Sequence, residues 1–190
     1  MIERSAPAVY SAVSLIDVLP ALNGATLGDD PYADLSAIVA DLRISDAELR
    51  PFVRFVAGRY TRNLIYRNDR FELLVLCWPD GTGSPIHDHG GSRCFVKVHS
   101  GALLSESFTL LHGGTGPGSA VLAGAGSRIF AAGDIDVRDP ADDIHRITPV
   151  GGPAISLHVY ARPLDRSLVF DEPAGTCRVV ASRYDSLPGG

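Results

Sequence analysis

Along the chain the spacing of apolar residues changes character once, near residue 58. Ahead of that point, apolar side chains recur at three- and four-residue steps over Ser14–Leu19, Tyr32–Leu42 and Ser45–Ala57, the period of helices with one buried face. Ser45 followed by Glu48 has the form of a capping box, and Pro51 is expected to interrupt the third helix, because proline lacks the backbone N–H and crowds the preceding turn. From Tyr60 onward, short β-rich runs alternate with glycine and proline turns. They predict strands over 60–66, 70–78, 93–99, 102–110, 127–131, 144–148, 154–161, 167–171 and 177–182. Phe71–Trp78 is apolar at nearly every position and reads as a strand buried on both faces. In the run from Ala154, polar Ser156, His158 and Tyr160 alternate with Ile155, Leu157 and Val159, so one face is either wet surface or the wall of an interior pocket. Gly113–Gly126, rich in glycine, alanine and serine, reads as a loop. The whole pattern predicts a single mainly β unit over 1–190, a sandwich or barrel: a helical lead-in at 1–58, the β portion at 59–183, and a loose tail at 184–190. Met1–Ala8 is expected to be loose as well.

Composition narrows the function classes. A chain of 190 residues can bury one real core. The net charge is −5 and the 17 basic residues form no dense run, which argues against a nucleic-acid partner or a polybasic membrane patch. No stretch approaches the roughly 18 apolar residues of a membrane span. Acidic Glu3 and the lack of an early apolar run argue against a secretory signal. Cys77, Cys94 and Cys177 are odd in number and far apart, which suits a reducing, cytoplasmic setting. The expected partner is a small molecule, and the expected state a monomer.

The most informative stretch begins at Gly81 and contains His87-Asp88-His89. On a strand, residues two apart point to the same side, so His87 and His89 can offer imidazoles to one ion while Asp88 points away. Such a tripeptide also arises by chance on surface strands. His145, near the start of a later strand, is the best candidate for a third donor. Imidazole suits iron, zinc, copper and nickel alike, so ligand type alone does not choose the metal. The flanks add weight. Gly81, His87, His89, Cys94 and Gly101 fill the slots of the first cupin motif, with Cys94 where most cupins carry a glutamate ligand. Pro140 through His145 resembles the second motif, with Asp142 in its glycine slot and Pro149 where an asparagine is usual. A site of three histidines carries no ligand charge, so an anionic substrate can approach the metal without repulsion from a carboxylate.

Tyr60-Thr61-Arg62-Asn63, Leu76-Cys77-Trp78, Ser84-Pro85-Ile86-His87-Asp88-His89, Cys94-Phe95, His145-Arg146-Ile147 and Ser156-Leu157-His158-Val159-Tyr160 occur in one order and spacing. Together they resemble cysteine dioxygenase from about Tyr60 to Tyr160. The resemblance implies a cupin (small jelly-roll) β-barrel holding Fe(2+) on His87, His89 and His145. It implies oxidation of L-cysteine by O2 to cysteine sulfinic acid, with Arg62 and Tyr60 binding the substrate carboxylate. Ser156, His158 and Tyr160 become a relay in which His158 orients the Tyr160 hydroxyl toward the substrate. Cys94 is either a small buried apolar residue or the partner of Tyr160 in a thioether cross-link, as in some family members. Cys77 and Cys177 read as structural, His99 as solvent-facing and His112 as a loop residue. Mercaptopropionate dioxygenases usually carry glutamine at the position of Arg62, and cysteamine has no carboxylate for Arg62 to hold; both are the nearby alternatives. A cupin that binds metal or ligand without oxidising anything, and a zinc hydrolase or isomerase, are the alternatives from other classes.

Overall fold

A computed structural model describes residues 14–114, 116–140 and 144–189. Three helices come first: α1 (Leu15–Ala25), α2 (Pro31–Asp41) and α3 (Asp46–Leu49), the last continued by a 3₁₀ turn, Arg50–Phe52. Asp30 caps α2 by accepting from the Ala33 N–H, with Pro31 in the first helical turn, where its missing N–H costs nothing. The Ser45–Glu48 capping box forms, and Glu48 also accepts from the Leu15 N–H at 3.1 Å, tying the starts of α1 and α3 together. The third helix is far shorter than Ser45–Ala57, since it gives way at Pro51 to the 3₁₀ turn. The first helix is longer than expected and carries Pro20 inside it.

Eleven strands follow: β1 (Thr61–Arg67), β2 (Phe71–Trp78), β3 (Ile86–His87), β4 (Arg93–Ser100), β5 (Ala102–Gly113), β6 (Gly118–Ala131), β7 (Ile135–Arg138), β8 (His145–Pro149), β9 (Ala154–Ala161), β10 (Arg166–Asp171) and β11 (Thr176–Ala181). One sheet has the order β1-β2-β9-β4-β7, and the other strands close into a ring, β10-β11-β6-β5-β8-β3. The fold is mainly β and cupin-like, with N-terminal helices.

The five-stranded sheet has two buried faces. One is covered by the helices: Leu73, Val75, Phe95, Leu157 and Val159 pack against Val18, Leu22, Leu35 and Ile38. The other faces the barrel interior, with Leu74, Leu76, Trp78, Cys94, Val96 and Tyr160. Burial on both sides explains the near-continuous apolar run of β2, and each large apolar side chain taken from water there contributes about 1.5–3 kcal/mol. It also decides the β9 stripe. Ile155, Leu157 and Val159 face the helices, so Ser156, His158 and Tyr160 line the interior and not a wet surface.

Other expectations are corrected. Gly113–Gly126 is mostly not a loop, because β5 and β6 form a long antiparallel hairpin from Ala102↔Ala131 to Gly113↔Ala120. Backbone ladder hydrogen bonds hold this run, so side chains with little β preference suffice. His112 is therefore an exposed strand residue opposite Val121. His99 is not solvent-facing: its side chain is 15% exposed and meets Asp46 at 2.7 Å, because odd positions of β4 point at the helical layer. Lys97, two residues earlier, reaches the Ala40 carbonyl near the end of α2. The short strands β3 and β7 carry too few residues for a pattern. The tail from 184 is not loose throughout, since Asp185 and Ser186 bond to β1 backbone and Ser186 bridges Asn63. Met1–Ala8 and Asp142 lie outside the described residues.

Candidate metal centre

The three histidines converge through local pairing. β3 lies beside β8 in the ring, and His87 and His145 are direct antiparallel partners. Residues so paired have Cβ atoms about 4.5–5.5 Å apart. His89 follows two positions after His87, while Asp88 turns outward to accept from the Leu168 and Gly90 N–H groups at 2.7 and 3.1 Å. Gly90, at φ +56°, lets the chain turn against β10, where a Cβ would sit 2.2 Å from the Arg166 carbonyl oxygen. One nitrogen from each of His87, His89 and His145 lies within 4.8 Å of the others.

The chemistry of this donor set fits a divalent transition metal. Burial lowers the pKa of all three imidazoles, with neighbouring histidines and Arg138 adding to the effect at His89 and His145. They are thus neutral donors at neutral pH. His87 Nδ1 meets the Pro85 carbonyl oxygen at 3.0 Å, and His145 Nδ1 meets Ser105 Oγ at 3.4 Å, which leaves Nε2 of each ring for an ion. Ser105 is itself held by Arg138 at 2.7 Å. A three-histidine metal site is present.

From the facing sheet, Tyr160 and Arg62 complete the centre. The ring centroids of Tyr160 and His89 are 5.7 Å apart, and the Tyr160 hydroxyl lies 3.4 Å from Arg62 Nη1 and 3.3 Å from His158 Nδ1. The chain of contacts continues from His158 Nε2 to Ser156 Oγ and from Ser156 Oγ to Trp78 Nε1, each at 2.9 Å. Burial drives the pKa of His158 down to about 3 and that of the Tyr160 phenol well above its usual value. Tyr60 stacks on Trp78 with centroids 4.8 Å apart. Cys94 is the register partner of Tyr160 across β4 and β9, its sulfur is 3.8 Å from His158 Nδ1, and burial pushes its thiol pKa up.

Arg62 is 12% exposed at its side chain. Burial opposes its charge, but Tyr160, Tyr60 and Glu72 outweigh that and raise its pKa. Its Nε is buried with no hydrogen-bond partner among the described residues. Tyr60, Arg62, Pro85, His87 and Leu164 share the lining of one cavity of about 670 Å³. A larger cavity, about 940 Å³, is lined by Ser105, Ser107 and Arg138 and touches none of the three histidines, so size does not mark the centre.

All the sequence-selected residues thus gather at one place: His87, His89, His145, Arg62, Tyr60, Ser156, His158, Tyr160 and Cys94. Glu72 was missed. It is fully buried, lies opposite Tyr160 across β2 and β9, and pairs with Arg62 at 3.3 Å. The available signal was a lone acid in a strand otherwise buried on both faces, which requires a charged partner. Trp78, Ser105, Arg138 and Tyr184 were also left without a role.

The family model described as cysteine dioxygenase type I matches residues 4–173. The chain is 30% identical over 180 residues to cysteine dioxygenase type 1 of Rattus norvegicus, covering 93% of this chain and 88% of that one. With the protein of the same description from Danio rerio it shares 34% over 145 residues, covering 73% and 69%. It is 29% identical over 126 residues to 2-aminoethanethiol dioxygenase of Homo sapiens, covering 53% and 46%. Among solved structures, a double-stranded β-helix protein from Klebsiella pneumoniae is 18% identical, covers 70% of this chain and 88% of that one, and gives a TM-score of 0.48.

Proposed function

The chain belongs to the cysteine dioxygenase type I family, and from that premise we propose that it oxidises L-cysteine with O2 to cysteine sulfinic acid, with Fe(2+) held by His87, His89 and His145. The observation that carries the choice of substrate is the Arg62 guanidinium. It is buried in the same cavity as His87, and its Nε awaits an acceptor. Arginine has five N–H donors; Tyr160 and Glu72 occupy one each, so enough remain to hold a carboxylate by two parallel bonds. A thiol with a carboxylate fits this; cysteamine does not.

When bound, ferrous iron supplies the charge that deprotonates the substrate thiol and the redox chemistry that joins dioxygen to sulfur. The protein supplies orientation. Arg62 and Tyr60 fix the carboxylate, so the thiol and amine reach the histidine cluster in one pose. The Trp78 indole N–H can only donate, and it donates to Ser156 Oγ. In the arrangement that gives every proton along the chain an acceptor, the Ser156 hydroxyl donates to His158 Nε2 and His158 Nδ1–H donates to the Tyr160 oxygen. The neutral imidazole at His158 permits this, and the raised phenol pKa keeps Tyr160 protonated. The Tyr160 proton is then free to point at the substrate. Both oxygen atoms end on sulfur and no further reductant is consumed. The register pairing of Cys94 with Tyr160 supports a thioether between them, formed with loss of two hydrogens to dioxygen as oxidant. Three free, buried cysteines support a reducing, cytoplasmic setting. The test is product analysis after iron-loaded protein meets cysteine, mercaptopropionate or cysteamine with dioxygen. Cysteine sulfinic acid as the main product is expected; preferential oxidation of either other thiol would overturn the assignment.

A further inference from the structure

Arg62 is gripped from behind by groups that lie far from it in sequence. Its Nη2 meets Glu72 Oε1 at 3.3 Å, and Glu72 is fully buried in β2. The other donors to that carboxylate are the Leu164 N–H at 3.2 Å and the Tyr184 hydroxyl, which bonds directly to Oε2, and Arg67 Nη1 pairs with it by charge at 3.5 Å. Arg67 Nη1 also donates to the Tyr184 oxygen at 2.6 Å, so this hydroxyl links Arg67 to Glu72. The adjoining residues fasten the backbone of Arg62 itself. Asp185 Oδ2 accepts from the Arg62 N–H at 2.8 Å, and the Asp185 N–H donates to the Arg62 carbonyl at 2.7 Å. Arg59 holds Asp185 at 2.6 Å, and Ser186 bonds to Asn63 and Leu64. Tyr184–Ser186 lies beyond residues 4–173, the extent of the family match.

We propose that Glu72, held by Tyr184, is the positioning residue of the substrate clamp, and that Tyr184–Ser186 belongs to the apparatus that selects thiols bearing a carboxylate. This rests on the reading of Arg62 as the carboxylate-binding residue. A buried carboxylate with three hydrogen-bond donors and a further ion pair has one stable place, and it ties up one edge of the guanidinium while the other donors stay available to a ligand. Free of Glu72, the long Arg62 side chain would have to be ordered by the substrate itself, at a cost in affinity. The loss should fall on binding, and only for ligands with a carboxylate.

The test compares full-length Tyr184→Phe and Glu72→Gln with wild type, using cysteine and cysteamine as probes. Binding to zinc-loaded protein is measured by calorimetry, and KM and kcat by oxygen uptake with iron. Tyr184→Phe keeps its ring and should raise Kd and KM for cysteine about three- to tenfold, the worth of one hydrogen bond. Glu72→Gln should raise them about tenfold or more. Cysteamine binding and kcat for cysteine should stay within about twofold, since neither depends on this hydrogen-bond network. Equal losses for both thiols, or none for either, would overturn the proposal. Should Glu72→Gln fail to fold, Tyr184→Phe decides alone. Wild-type turnover of cysteine with an unaltered Tyr184→Phe variant sinks this inference and leaves the proposed function standing. Wild-type protein that oxidises cysteamine but not cysteine removes both.

Discussion

Arg62→Gln tests the substrate assignment most directly. The guanidinium is 12% exposed, so its hydrogen bonds to a carboxylate are made out of bulk water. Charge-assisted bonds of this kind contribute about 1.5–3 kcal/mol each, and a neutral amide bond about 1 kcal/mol. Replacing a two-bond fork by one neutral bond therefore costs roughly 2–5 kcal/mol, or about 30- to 4,000-fold in kcat/KM for cysteine at about 1.4 kcal/mol per tenfold. The fold should survive, since Glu72 keeps Tyr184 and the Leu164 N–H as donors and Arg67 as an ion-pair partner. Oxygen uptake with cysteine and with cysteamine, together with a thermal melt, measures all three quantities. Cysteamine turnover should hold near its wild-type level, because that thiol offers the fork nothing. An unchanged kcat/KM for cysteine, or losses that are equal for both thiols, would refute the assignment of Arg62.

The remaining predictions concern the metal, the cross-link and pH. His145→Ala leaves two imidazoles of three, and metal analysis should show ferrous or zinc occupancy falling from about one per chain to a small fraction, since an open site with three protein ligands has no donor to spare. Protein that has turned over cysteine should show, by intact mass, a population lighter by two hydrogens, absent in Cys94→Ser; no such population after prolonged turnover would exclude the thioether. The folded pKa of His158 is about 3, far below the unfolded value near 6.5, so folding loses stability as pH falls between those values. By pH 5.5 this residue alone costs the metal-free protein about 1.4 kcal/mol, and His87, His89 and His145 act in the same direction. Urea titrations at pH 7 and 5.5 should show the drop, and His158→Gln should reduce it; equal midpoints at the two pH values would contradict the buried neutral imidazoles.

Sequence alone determined those features that repeat or sit close together along the chain. The alternation in β9 separated Ser156, His158 and Tyr160 from their apolar neighbours, the two-residue step put His87 and His89 on one side, and Ser45 with Glu48 marked a helix start. Each is a local consequence of strand or helix geometry, so each is legible in a short window. Only the tertiary structure decided which face of β9 is interior, because the helices had first to cover the other side of the sheet. It alone showed that Gly118–Gly126 belongs to a strand, where the pairing lies in the backbone and leaves little trace in side-chain type. The grip of Glu72, Arg67 and Tyr184 on Arg62 was likewise out of reach. Its members are separated by up to 122 residues, counting from Arg62 to Tyr184, and an ion pair between distant strands has no period to read. What the chain did disclose was the requirement: a carboxylate placed in a strand buried on both sides has to find its cations somewhere, and the fold supplies them.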